Sequence, residues 1–164
     1  MIYLDNAATT FPKAPGTIER ALERYRELGV SPGRGNHDLA MRASDAVDEV
    51  RAKVAAFFGA PDPERVAFGA NATDALNTAI LGLVRPGDHV VATRLDHNSV
   101  LRPLHHLAET GVIRWDAAPF DEHGIVTADA IEALLRADTR LVVMTHASNV
   151  ILSLIHISEP TRPY

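Results

Sequence analysis

Three short polar segments carry the residue types that can hold and handle a small charged ligand. The first is Gly69-Ala70-Asn71-Ala72-Thr73-Asp74, which follows a short apolar run and precedes a stretch with helical spacing. At such a helix start, free backbone N–H groups and the positive dipole end form an anion site, most naturally for a phosphate, and the Thr73 hydroxyl can add a donor. Plain N-capping by Asn71 or Thr73 is the alternative, and spacing alone favours it. The second segment, Leu95-Asp96-His97-Asn98-Ser99, places a histidine just after an apolar strand pattern. Its imidazole can act as acid or base, ligate a metal, stack face-on against a flat ring, or simply cap a helix at the surface. His105 and His106 lie nearby, but neighbours on a helix point to different faces and converge poorly with His97 on one ion. In the third segment, Thr145-His146-Ala147-Ser148-Asn149, the Asn149 amide can both donate and accept, which suits a phenolic oxygen or a carboxylate. A turn residue chosen for its backbone is the competing explanation. No Gly-x-Gly-x-x-Gly and no Gly-Lys-Ser/Thr occurs, so dinucleotide and P-loop sites lack support.

The elements that position these segments follow from periodicity. Pro12 and Pro15 disfavour a helix at the start, and Thr17–Leu28 then reads as a helix stopped by Gly29. A turn-rich loop over 30–36 leads to a second helix over Leu39–Phe58, whose apolar residues Ala43, Val47, Val50, Val54 and Phe58 recur at helical spacing. Beyond Gly59 and Pro61, short apolar runs alternate with helices. Strands are predicted at 66–68, 89–93, 112–115 and 140–144, and helices at 72–83, 99–109 and 128–137. Strands separated by helices require crossover connections and a mainly parallel sheet. The fold class is therefore α/β: an N-terminal helical arm over 1–60, then part of a parallel sheet with crossover helices over 61–150. Ligands of such sheets gather beyond the C-terminal ends of the strands, where all three polar segments fall.

Composition narrows the function classes. The chain has 164 residues, with 46% hydrophobic and 23% charged, which suits a single globular core rather than disorder. Its 16 Lys and Arg against 21 Asp and Glu leave a net charge of −5 and no basic stripe for nucleic acid. Cysteine is absent, which excludes disulfides and thiolate metal sites in this stretch. No apolar run approaches the roughly 20 residues of a membrane span. The opening Met1-Ile2-Tyr3-Leu4-Asp5 is not built like a signal peptide. A cytoplasmic location is expected.

Several segments, in order and at matching spacing, resemble the cysteine desulfurases and other class V aminotransferase-like enzymes. They are Tyr3-Leu4-Asp5-Asn6-Ala7-Ala8-Thr9-Thr10, Arg65–Phe68 with Asn71–Asn77, Pro86–Val91, Asp96–Val100 and His146–Val150. The resemblance covers residues 2–150 and implies the large domain of a pyridoxal 5′-phosphate enzyme. By resemblance, Ala72 and Thr73 bind the cofactor phosphate, His97 stacks on the pyridine ring, and Asn149 sits beside the phenolic oxygen. Asn6, Ala7 and Ala8 would lie near the substrate. The implied reaction removes sulfur or selenium from cysteine or selenocysteine to give alanine. A homodimer and a sulfur-acceptor protein are the implied partners. A class V aminotransferase or epimerase shares this N-terminal half, and a non-catalytic small-molecule-binding module is the non-enzymatic alternative.

The sequence also departs from the family. Relatives usually carry Gly where Asn71 stands; Asn is the ordinary residue that best tolerates a left-handed backbone, so the loop is expected to survive. Asp38 stands where relatives often carry a basic residue. The residues that do the chemistry in relatives lie beyond this length: the Asp partner of the pyridine nitrogen, the cofactor-bearing lysine and the persulfide-carrying cysteine. Lys13 and Lys53, the only lysines, sit in no matching segment. No catalytic residue is therefore expected here, and the chain is expected to be an inactive N-terminal fragment. Leu152 to Arg162 resembles a translation of the transposase-end adapter used in sequencing libraries, so 151–164 is expected to be a tail foreign to the natural protein. An open sheet edge and the uncharged window Leu152–Ile157 are expected to make the chain prone to aggregation.

Overall fold

A computed structural model describes residues 2–3, 6, 9–148 and the backbone of 153–154. The chain divides into two compact units, Met1–Phe68 and Gly69–Tyr164.

The first unit is built on helices α1 (Thr17–Leu28) and α2 (Asp38–Phe57). Gly16 precedes α1 in the left-handed region at φ 72° and offers no side-chain cap. Gly29 ends α1 as expected, but at φ −71° rather than in the left-handed conformation of the usual glycine stop. A glycine is needed there because a Cβ would stand 2.5 Å from the Tyr25 carbonyl oxygen. His37 caps α2, its Nδ1 accepting from Ala40 N–H at 3.2 Å. α2 buries the small residues Ala40, Ala43 and Ala55. A 3₁₀ turn over Pro63–Arg65 follows, capped by Asp62, which accepts from Glu64 N–H at 2.9 Å.

Val66–Phe68, expected as a strand, is not one: it pairs with no strand among the described residues. Instead Arg51 donates to the Val66 carbonyl and lies 5.1 Å from the Phe68 ring centroid. The backbone at Val66 is extended, but a strand needs a ladder as well as a conformation.

The second unit is the expected α/β layer. Strands β1 (His89–Thr93), β2 (Arg114–Ala118) and β3 (Thr139–Val142) form a parallel sheet in the order β2-β1-β3. Helix α3 (Ala72–Leu83) precedes the sheet, α4 (Asn98–Glu109) connects β1 to β2, and α5 (Ala128–Glu132) connects β2 to β3. All five residues of β1 are buried, which fits its apolar centre Val90-Val91-Ala92. Strand alternation sends its side chains to two faces. Val90 and Ala92 pack with Ile80 of α3 and with Val100 and Leu104 of α4, whereas Val91 packs with Leu95, Ala118, Val126 and Ile131 of α5. Each fully buried Val, Leu or Ile contributes roughly 1.5–3 kcal/mol, so β1 is the spine of the unit.

Several boundaries differ from the expected ones. β2 begins at Arg114, not at Val112, because Val112 and Ile113 both donate to the Leu107 carbonyl at the end of α4. α5 stops at Glu132 rather than Ala137, since the Thr139 hydroxyl accepts from Arg136 N–H at 2.7 Å and draws the chain into a turn. β3 covers 139–142, although Val143 N–H still donates to the Val91 carbonyl at 2.8 Å. A two-residue antiparallel pair, β4 (Ala147–Ser148) with β5 (Ser153–Leu154), follows.

Candidate functional site

From β1 the chain leaves to one side through α4 and returns to the other side through α5. The strand order therefore reverses at β1, and in sheets of the order β2-β1-β3 ligands bind in the crevice beyond β1 and β3.

The α3 N-terminus supplies the first component. Asn71 Oδ1 accepts from Asp74 N–H at 2.9 Å, and the Asp74 carboxylate accepts from Ala70 N–H at 3.1 Å. The first helical bond runs from Ala75 N–H to the Asn71 carbonyl. Capping by Asn71 thus takes the third N–H and leaves those of Ala72 and Thr73 without a partner among the described residues. The capping and anion-binding explanations are compatible. Asn71 sits at φ −165°, ψ 174°, an extended conformation open to any residue. The expectation that Asn71 replaces a family glycine by tolerating a left-handed backbone is corrected accordingly.

The second component follows β1. Thr93 N–H and Thr93 Oγ1 each donate to Asp96 Oδ2 at 2.7 Å, and Leu95 N–H donates to Thr93 Oγ1 at 3.2 Å. This tight turn delivers His97 to the start of α4. His97 Nδ1 accepts from Ser99 N–H at 3.1 Å and lies 2.9 Å from Ser99 Oγ. An accepting Nδ1 places the ring proton on Nε2, an assignment made from the hydrogen-bond network. The ring is exposed. His97 is therefore an exposed helix cap whose capping bonds orient the ring. Burial pushes the Asp96 carboxyl up from its ordinary value, opposed by the bonds from Thr93 and from the Thr145 backbone N–H.

The third component follows β3. Thr145 Oγ1 donates to the Ala147 carbonyl at 2.9 Å, and Ser148 is buried where β4 pairs with β5. Asn149 lies outside the described residues, as do Ala7 and Ala8. Asn6 belongs to the first unit, where its exposed side chain accepts from Phe11 N–H at 3.1 Å.

One side chain joins the first two of these components. Asn77 of α3 donates to the Thr73 carbonyl at 2.7 Å and to the Ser99 carbonyl at 3.3 Å. The Ser99 carbonyl is available because Pro103, four residues later, has no N–H to bond it. Asn77 therefore links the first turns of α3 and α4, while Asp96 closes the turn that follows β1. Periodicity did not single out Asn77; the proline in α4 was the available signal. His105 does not join His97: its ring packs edge-on against Trp115, with centroids 4.9 Å apart.

The first unit holds an apolar groove of about 530 Å³ between α1 and α2, lined by Tyr25, Leu28, Val47, Val50 and Phe68. Its charged residues are paired with one another, Arg24 with Glu49 and Lys53 with Glu49.

A parallel sheet layered by helices, with a capped helix N-terminus and an exposed histidine beyond its strands, defines a layered α/β domain. Residues 2–159 match the family model of the class-V aminotransferases, and the chain belongs to that family. It is 37% identical to a probable cysteine desulfurase of Methanothermobacter thermautotrophicus, over 98% of this chain and 40% of that one. It is 34% identical to a probable cysteine desulfurase of Mycolicibacterium paratuberculosis, over 97% of this chain and 24% of that one. Among solved structures, the apo cysteine desulfurase of Thermococcus onnurineus superposes with a TM-score of 0.82 at 30% identity, over 94% of this chain and 39% of that one. A structure described as SspA in complex with cysteine gives a TM-score of 0.80 at 25% identity, over 91% of this chain and 43% of that one. The chain thus spans well under half the length of these relatives. Among the described residues, no helix is long and apolar enough to cross a membrane.

Proposed function

We propose that this chain is the N-terminal, cofactor-binding part of a pyridoxal-phosphate-dependent cysteine desulfurase that acts in the cytoplasm as a homodimer and passes sulfur to an acceptor protein. The observation that carries the reading is the pair of unpartnered N–H groups at Ala72 and Thr73, tied through Asn77 to the turn that presents the exposed His97 ring. Those donors and the Thr73 hydroxyl suit a phosphate, and the His97 face suits a flat heteroaromatic ring. Asn149 reads the phenolic oxygen, and Asn6, Ala7 and Ala8 face the substrate. Residues 1–60 form the arm, 61–150 the partial cofactor domain, and 151–164 a foreign tail.

Bound pyridoxal phosphate supplies a ring that takes up the negative charge developing on an amino-acid substrate. The residues present here bind and orient that group. Neither lysine is placed to attach it: Lys13 donates to Thr9 Oγ1 and Lys53 pairs with Glu49, each at 2.6 Å. The 164-residue chain alone is therefore expected not to turn over.

The test is to express the reading frame completed with its genomic continuation, load pyridoxal phosphate, and assay alanine and sulfide from cysteine with dithiothreitol present, the thiol that reduces the released sulfane sulfur to sulfide. Equal release of both is the expected result. Amino-group exchange without sulfide would favour an aminotransferase, and failure to retain the cofactor would overturn the reading altogether. Release of either product by the 164-residue chain, above the free-cofactor background, would overturn its proposed inactivity.

A further inference from the structure

We infer that Asn77 is a positioning residue that sets the separation between the phosphate donors at the start of α3 and the His97 ring at the start of α4. Its amide nitrogen carries two hydrogens and meets two carbonyls. It donates to Thr73, one turn back in α3, at 2.7 Å, and across to Ser99 of α4 at 3.3 Å. The bond to Thr73 orients the amide within its own helix, so the bond to Ser99 fixes one helix start against the other. Two residues that are poor local choices meet at this contact. Asn is among the less favourable residues for a helix interior, and Pro103 inside α4 has no N–H to give the Ser99 carbonyl. Each weakens its own helix, and breaches of local preference that coincide at a ligand site mark a place where arrangement outweighs local stability. The two ends give that arrangement a use. Thr73 brings an N–H and a hydroxyl to the start of α3, and the Ser99 N–H is the donor to His97 Nδ1, at 3.1 Å. Asn77 therefore grips both the residue that carries phosphate donors and the residue that orients the ring. A ligand with a phosphate at one end and a flat ring at the other spans both, so its affinity depends on how firmly their separation is held beforehand.

This inference deepens the cofactor reading and rests on it for the identity of the ligand. The experiment uses the 164-residue chain and pyridoxamine phosphate, which cannot attach to Lys13 or Lys53. The chain has no cysteine, so spin labels on Thr78→Cys in α3 and Arg102→Cys in α4, both exposed positions, read the separation of the two helices. Asn77→Ala, Pro103→Ala and the double variant are compared with the wild type by label distance, urea unfolding and ligand fluorescence. In Asn77→Ala the distance distribution should broaden and affinity should fall several-fold. Pro103→Ala supplies an N–H to the Ser99 carbonyl, so in that background it should recover stability but neither the narrow distribution nor the affinity. Recovery of affinity together with stability would overturn the proposal, because Asn77 would then only satisfy a carbonyl. An unchanged distribution in Asn77→Ala would also overturn it, as would a broadened one with unchanged affinity in a chain that binds the ligand. If the wild type does not bind pyridoxamine phosphate, the cofactor reading of this chain fails while the label distances still decide the Asn77 tie. Should Asn77→Ala fail to fold, the double variant is compared with Pro103→Ala alone by the same three measurements. Failure of the double variant to fold as well would overturn the proposal, since a bond that only positions two helices cannot carry the whole fold.

Discussion

His89 and His97 bracket the same strand, one opening β1 and the other four residues past its end, yet their surroundings are opposite. His89 is fully buried, and both ring nitrogens are engaged by side chains of the flanking strands: Thr139 Oγ1 at 2.9 Å and Asp116 Oδ2 at 3.1 Å. Arg136 donates to the same Asp116 carboxylate, and Thr139 also takes the Arg136 N–H. His97 is exposed, and only its Nδ1 is held, by a residue of its own helix. The N-terminal end of the sheet closes its polar groups on one another. The C-terminal end keeps donors at Ala72 and Thr73 and a ring face in reserve. A histidine bonded across strands builds the sheet, and one bonded within its own turn can be spared for a ligand.

The comparison breaks most visibly at the closed end. His89→Ala should destabilise the chain by about 2–4 kcal/mol, from a cavity plus unpaired partners, as measured by urea unfolding. A loss under about 1 kcal/mol would show that this network is dispensable.

A smaller effect is expected at the tie between α3 and α4. Asn77→Ala should cost about 1–2 kcal/mol by stranding the Ser99 carbonyl. Pro103→Ala restores an N–H to that carbonyl, so its benefit should be greater in the Asn77→Ala background than in the wild type. Strict additivity in this double-mutant cycle would disprove the link.

At the open end, His97→Ala should cost only about 1 kcal/mol of stability, the value of a cap. It should also weaken pyridoxamine phosphate binding by a few-fold to about tenfold, since a ring contact adds roughly 0.5–1.5 kcal/mol. Unchanged affinity would leave His97 a cap and nothing more.

The smallest effect concerns a control outside both ends. Asp121 accepts from Ile125 N–H at 2.8 Å and His123 N–H at 2.9 Å. The Ile125 bond foremost holds its carboxyl below the ordinary value, against a burial effect of opposite sign. A lowered carboxyl stabilises above its unfolded value of about 3.9, and that contribution is lost as pH falls through the folded value. Thermal melts of Asp121→Ala should therefore show a shallower acid-side decline below about pH 4 than the wild type. An identical decline would mean another carboxylate sets it.

Much of this architecture was legible from local pattern. Thr17–Leu28 and Ala72–Leu83 are helices with the residue limits read from periodicity and stop signals, because those signals act within one turn. The short strand pattern at His89–Thr93 and the crossover spacing were enough for a mainly parallel sheet with crossover helices. Residue types alone marked Thr73 and His97 as ligand candidates, and the family resemblance supplied the ligand. Strand status at Val66–Phe68, by contrast, depended on a partner strand, which no local preference can guarantee. The ends of α5 and β2 were decided by the Thr139 hydroxyl and the Leu107 carbonyl, groups brought to those places by the fold. The role of Asn77 was invisible for the same reason. Its importance lies in the bond to Ser99, at a separation of 22 residues, and sequence spacing carries no record of which distant carbonyl a side chain will meet.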